Sequence, residues 1–158
     1  MKKLAVAALV FIVFAGVSVQ DLSAQTDISW NWGVVTDKNF SFKPFLWTTG
    51  LSFDFYLNPN LSFTPEIYSV IHNFDFGTFI LAPALMLNFQ GENFFAGGGL
   101  TKLWLLGSEI EGGPSSDVAF KANVGFKGYD IKFTLFAVTP FNQFFKDMVL
   151  GAAFGFYF

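Results

Sequence analysis

The sequence contains no cysteine and no arginine. Without cysteine there is no disulfide framework, no thiolate metal site, no thiol nucleophile and no lipid-modified N-terminal cysteine. Without arginine there are no guanidinium forks for bidentate phosphate recognition. The nine basic residues are all Lys, against twelve acids, for a formal charge of −3. That balance argues against a nucleic-acid partner. Charged residues make up 13% of the chain, where a soluble domain carries roughly 25%. There is one histidine, His72. No metal site and no cofactor is expected from this inventory.

The chain is instead rich in apolar surface. It is 53% hydrophobic and 20% aromatic, with 24 Phe in 158 residues. That is far more than a single core of this size needs, so the surplus must face lipid or drive aggregation.

Lys2 and Lys3 precede an apolar run from Leu4 to Val17, followed by a more polar stretch to Ala24. Small Ala24, with Leu22 two residues earlier, fits the position before a cleavage site. The run is shorter than the roughly 20 residues of a spanning helix. Residues 1–24 are therefore expected to be a signal peptide for Sec export, leaving 25–158 as one domain. The longest later stretch without charge, 76–91, contains Pro83 and Asn88 and also falls short of a span. For an apolar exported chain without a spanning helix, the closed barrel satisfies every backbone polar group in lipid.

The hydrophobic period is two. Leu51, Phe53, Phe55 and Leu57 alternate with Ser52, Asp54 and Tyr56. Val118, Phe120, Ala122, Val124 and Phe126 alternate with Ala119, Lys121, Asn123 and Gly125. The same pattern holds over 61–67, 131–135 and 150–158. This is strand alternation with one apolar face. Turn sequences punctuate it at Asn58-Pro59-Asn60, at 90–93 and at Gly128-Tyr129-Asp130. Longer polar connections fall near 37–44, 72–75, 107–117 and 140–147. Eight strands are predicted: 27–36, 45–57, 61–71, 76–89, 94–106, 118–127, 131–139 and 148–158. An even strand count with short turns at one end and longer loops at the other is the plan of an eight-stranded antiparallel up-and-down transmembrane β-barrel.

The charges fit that map. Nine of the eleven acids after residue 24 fall in turns, loops or strand ends. Asp54, Glu66, Lys121 and Lys132 fall inside strands, all on the polar face. They are expected to point into the lumen and pair, because buried charges need partners. Lys102 and Lys127 lie nearer strand ends and are expected to be solvated. Trp30, Trp32, Trp47, Trp104, Phe89 and Phe94 gather near strand ends, as interfacial belts do. A soluble barrel would need its polar face to meet water, and this face is too poor in charge for that.

Residues 151–158, GAAFGFYF, end in Phe158, with Phe154 and Phe156 alternating before it and Gly151 at the start. This resembles the terminal strand of bacterial outer-membrane barrels. With the strand count, the chain resembles the small eight-stranded class, the group around the OmpA barrel domain, OmpX and OmpW. The resemblance implies a bacterial outer-membrane location, contact with outer-membrane lipid, and periplasmic chaperones and the barrel assembly machinery as partners in biogenesis. A monomer is expected. Gly151, Phe154, Phe156 and Phe158 would form the assembly signal.

Three functions are compatible with such a barrel. The first is a non-enzymatic structural or surface-interaction role with a lumen sealed by side chains, since eight strands leave room for side chains or one small ligand. The second is a narrow channel for small or apolar solutes, with Gly125, Gly151 and Gly155 leaving space in the lumen. The third is an outer-leaflet lipid-modifying enzyme using His72, with Ser69, Ser115, Ser116 or Asp117 completing a nucleophile and base pair. His72 is expected in the second external loop, where a solvated histidine explains it equally. The acids Glu109, Glu111 and Asp117 of the third loop match no defined calcium loop. Phe141, Phe144 and Phe145 of the fourth are expected at the headgroup interface or against a partner protein.

Overall fold

The structure, a computed structural model, describes residues 26–158 apart from 38, 44, 74, 108–115 and 144–146. The expected signal peptide, and the expectations placed on Glu109, Glu111, Ser115, Phe144 and Phe145, lie outside the described residues.

Nine strands form among the described residues: β1 (Thr26–Val35), β2 (Leu46–Asn58), β3 (Leu61–His72), β4 (Asp75–Gln90), β5 (Phe94–Thr101), β6 (Trp104–Gly107), β7 (Ala119–Lys127), β8 (Ile131–Pro140) and β9 (Val149–Tyr157). Each neighbouring pair is antiparallel, and β1 pairs with both β2 and β9. The sheet therefore closes on itself, and among the described residues β6 alone has a single strand partner, β4.

The wall has eight strands, because β5 and β6 are one predicted strand with a break. Both pair with β4 in the same register, Ala84 opposite Thr101 and Leu81 opposite Trp104. The break lies opposite Pro83. Lys102 donates its N–H to the Pro83 carbonyl at 3.2 Å, and proline has no N–H to return the bond. Pro65 does the same in β3: the β2–β3 ladder runs from Ser52–Glu66 to Phe55–Phe63 and skips the two positions between, Phe53/Pro65 and Asp54/Thr64.

Three short turns lie at the end that carries the start of β1 and the end of β9. In the first, the Asn58 side chain accepts the Asn60 N–H at 2.8 Å, a local Asx turn. In the other two, Gly91 and Gly128 each donate to the carbonyl of the next strand's first residue, Phe94 and Ile131, at 2.7 Å. The remaining connections lie at the opposite end, as an alternating up-and-down barrel requires. The second of them is shorter than the expected 72–75. His72 closes β3 by pairing with Asp75, and Asn73 turns the chain with φ of 46°, a conformation that Asn tolerates.

The polarity is inverted relative to a soluble barrel. Ser29, Asn31, Ser52 and Ser62 are completely buried, while Leu85 is 55% exposed and Phe126 67%. Apolar rings and branched side chains cover the outside, and polar side chains fill the middle of the inside.

Candidate functional site

Period-two alternation puts every second side chain of each strand into one narrow lumen. From β2 come Ser52, Asp54 and Tyr56. From β3 come Ser62, Thr64, Glu66 and Tyr68. Asn88 and Gln90 come from β4, Lys121 from β7, and Lys132 and Phe136 from β8. The structure brings all four expected lumen charges together, as two ion pairs.

Lys121 Nζ donates to Glu66 Oε2 at 2.5 Å. The same ammonium lies 4.5 Å from the Tyr68 ring centroid and 4.9 Å from that of Phe136. Both partners are buried, so the charge is neutralised by the carboxylate and by two ring faces at once.

Lys132 Nζ donates to Ser52 Oγ at 2.6 Å and to Asp54 Oδ2 at 3.3 Å. The other Asp54 oxygen accepts the Thr64 hydroxyl at 2.7 Å. Asn88 donates to Thr64 Oγ1 at 2.9 Å, and Gln90 to Ser62 Oγ at 2.7 Å. Ser52 and Ser29 share a hydroxyl bond at 2.7 Å, and Asn31 donates to both. The network draws on β1, β2, β3, β4 and β8.

Lys127 lies half-buried at the open turn-end mouth of the lumen: it donates to Gln90 Oε1 at 2.8 Å, with its Nζ 5.3 Å from the Tyr56 ring centroid. Tyr56 in turn donates to Asp27 at 2.8 Å. Strand parity was the available signal, since position 127 shares its face with 121, 123 and 125. Lys102 falls by alternation on the outward side, its Nζ 5.9 Å from the Trp104 ring centroid.

The three lumen glycines hold no spare volume. A side chain at Gly125 would meet the Phe95 ring, one at Gly151 the Phe136 ring, and one at Gly155 the stem of Lys132. The free space beside Asp54, Asn123 and Lys132 is about 10 Å³, where a water needs roughly 10–15 Å³. Nearer the loop end the lumen changes character. Val35, Leu46, Val70, Ile80, Val138 and Val149 line a cavity of about 160 Å³ with Tyr68, Phe136 and Lys121.

His72 is exposed, with Asn73 as its side-chain partner at 3.4 Å. Ser116 Oγ accepts the Leu103 N–H and donates to the Asp117 carbonyl. Ser69 falls by alternation on the outward face. The described residues of the third functional expectation therefore do not form a nucleophile and base pair.

On the outside, Trp30 and Trp32 stack edge to face at 5.0 Å, and Trp47 lies 5.9 Å from Trp32. Phe154 and Phe156 face outward on β9 and Phe158 is 79% exposed. The Phe158 N–H donates to the Ile28 carbonyl at 3.1 Å, at the seam where the last strand meets the first. Phe141 packs on Phe120 at 6.4 Å.

No protein-family model and no curated sequence matches this chain. Solved structures do match it in fold. The N-terminal β-barrel domain of Pseudomonas aeruginosa OprF superposes with a TM-score of 0.53 at 13% identity, over 86% of this chain and 100% of that one. Ail, the attachment invasion locus protein of Yersinia pestis, gives 0.51 at 12% identity, over 87% and 100%. A de novo designed transmembrane β-barrel gives 0.55 at 4% identity, over 84% and 95%. The chain thus has the architecture of the small eight-stranded outer-membrane β-barrels.

Proposed function

We propose that this chain is a non-enzymatic integral protein of the bacterial outer membrane, with a structural or surface-interaction role and a lumen sealed by side chains. The observation that carries the reading is that each ion pair crosses the interior. Lys121 on β7 and Glu66 on β3 stand three places apart around the wall, as do Lys132 on β8 and Asp54 on β2. Desolvated charges tied in this way across a lumen of this width act as a plug, not as a path for ions.

The outward apolar face would meet outer-membrane lipid, after Sec export, removal of residues 1–24, and delivery by periplasmic chaperones. Gly151, Phe154, Phe156 and Phe158 on the closing strand would be read by the barrel assembly machinery, and the assembled barrel acts as a monomer. The test is ion conductance of the purified, refolded chain in planar bilayers. The proposal expects no unitary current steps. Reproducible steps that change with Glu66→Gln would overturn the sealed lumen and favour a channel.

A further inference from the structure

The lumen has two parts of opposite chemistry. The middle of the lumen is a hydrogen-bonded network with about 10 Å³ of free space beside Asp54, Asn123 and Lys132. The outer half holds a cavity of about 160 Å³ whose exposed lining is almost all carbon.

We propose that this outer cavity is a dead-end binding pocket for one small apolar molecule, of the size of a single aromatic ring. The proposal rests on the reading that the inner lumen is plugged. Three hydroxyls around the cavity are already engaged. The Thr48 hydroxyl donates to the Ser69 carbonyl at 3.0 Å and that of Thr101 to the Pro83 carbonyl at 2.9 Å. The Thr36 hydroxyl accepts the Leu150 N–H at 3.1 Å. The Lys121 ammonium at the floor is held by Glu66 and lies over the Tyr68 and Phe136 rings.

A water placed there would find few of the two to four partners it needs, and apolar cavities of about 150 Å³ stay dry and accept benzene-sized guests. The rings of Tyr68 and Phe136 offer edge and face contacts to such a guest. The cavity reaches Thr36 and Asp37 at the loop-end rim, so the guest comes from outside, and the ion-paired floor stops it from crossing.

The test uses the full barrel in lipid nanodiscs, with labelled Ile, Leu and Val methyl groups, and benzene as the probe. Saturable shifts are expected at Val70, Ile80 and Val138, with none at lipid-facing Leu85 and Leu87. Ala82→Phe fills the cavity, and Val138→Phe serves if that variant does not fold. Either should weaken the response by roughly tenfold or more, because an interior at native density admits no guest, while the barrel stays folded.

A linear drift shared by all methyls is partition into lipid and overturns the pocket, even if the barrel proves non-conducting. Saturable shifts in a barrel that conducts would uphold the pocket and overturn the seal alone.

Discussion

Lys121 reaches from β7 to Glu66 on β3 across the barrel interior, 2.5 Å from nitrogen to oxygen, over a sequence separation of 55 residues. The two strands are not neighbours, so this pair braces the wall from within. A buried pair of this kind is weak ground for arguing net stability, but breaking it is costly, because one charge stays buried without its partner. Glu66→Leu or Lys121→Met alone should each destabilise the barrel by about 3–5 kcal/mol. The double variant should lose clearly less than the sum, because neither charge remains. Urea unfolding of the refolded barrel in lipid vesicles measures all three.

The lumen glycines give a second prediction. Gly151→Val puts its side chain into the Phe136 ring and Gly125→Val into that of Phe95. Each should cost about 1–3 kcal/mol through overpacking. Val124→Leu, on the exposed face beside Gly125, should change stability by no more than about 0.5 kcal/mol. Equal losses at Gly125 and Val124 in the same unfolding assay would show that the lumen is roomier than described.

Depth in the membrane should be readable from charge insertion. Leu85 and Phe89 share the outward face of β4, Leu85 near the strand's middle and Phe89 beside the 91–93 turn. Leu85→Lys should cost about 2–4 kcal/mol and Phe89→Lys about 0–1 kcal/mol. A soluble barrel would tolerate both alike.

His72→Ala should leave outer-leaflet lipid composition unchanged, as should Ser69→Ala. The ring's side-chain partner is Asn73, and neither Ser69 nor Ser116 is set up as a nucleophile beside it. Mass spectrometry of lipid extracts from expressing cells checks this. Loss of an acyl modification in His72→Ala, with the barrel still folded, would revive the enzyme reading.

Much of this architecture was legible in the sequence because a barrel in lipid has one strict rule, period two with the apolar side out. Leu51, Phe53 and Phe55 against Ser52 and Asp54 are enough to set a face, and strand ends fell within a residue or two of those observed. Parity assigns a face but not a height or a partner across the lumen. That is why Asp54, Glu66, Lys121 and Lys132 were found as a set, while their division into two pairs depended on barrel closure.

Lys127 stands near a strand end and in the open mouth, but its parity with Lys121 and Asn123 also turns it toward Gln90. His72 ends β3 rather than opening a loop, because Asn73 accepts a left-handed backbone right after it. The break between Thr101 and Trp104 came from Pro83 on the neighbouring strand, a cause that sequence position alone does not reveal. The apolar outer cavity had a signal too. Residues 79–82 (FILA) and 135–138 (LFAV), and 67–71 (IYSVI) apart from Ser69, are apolar at both parities, so those stretches line the lumen with carbon as well as facing outward.

The most direct test of the whole account is heat modifiability. The full chain is expressed in a diderm bacterium, outer membranes are isolated, and boiled and unboiled samples are compared on a detergent gel. The account predicts a band in that fraction that moves on boiling, as a closed barrel resists detergent until heated. A soluble periplasmic product with no shift would contradict it, and the Phe-rich faces would then have to be the core of a different fold.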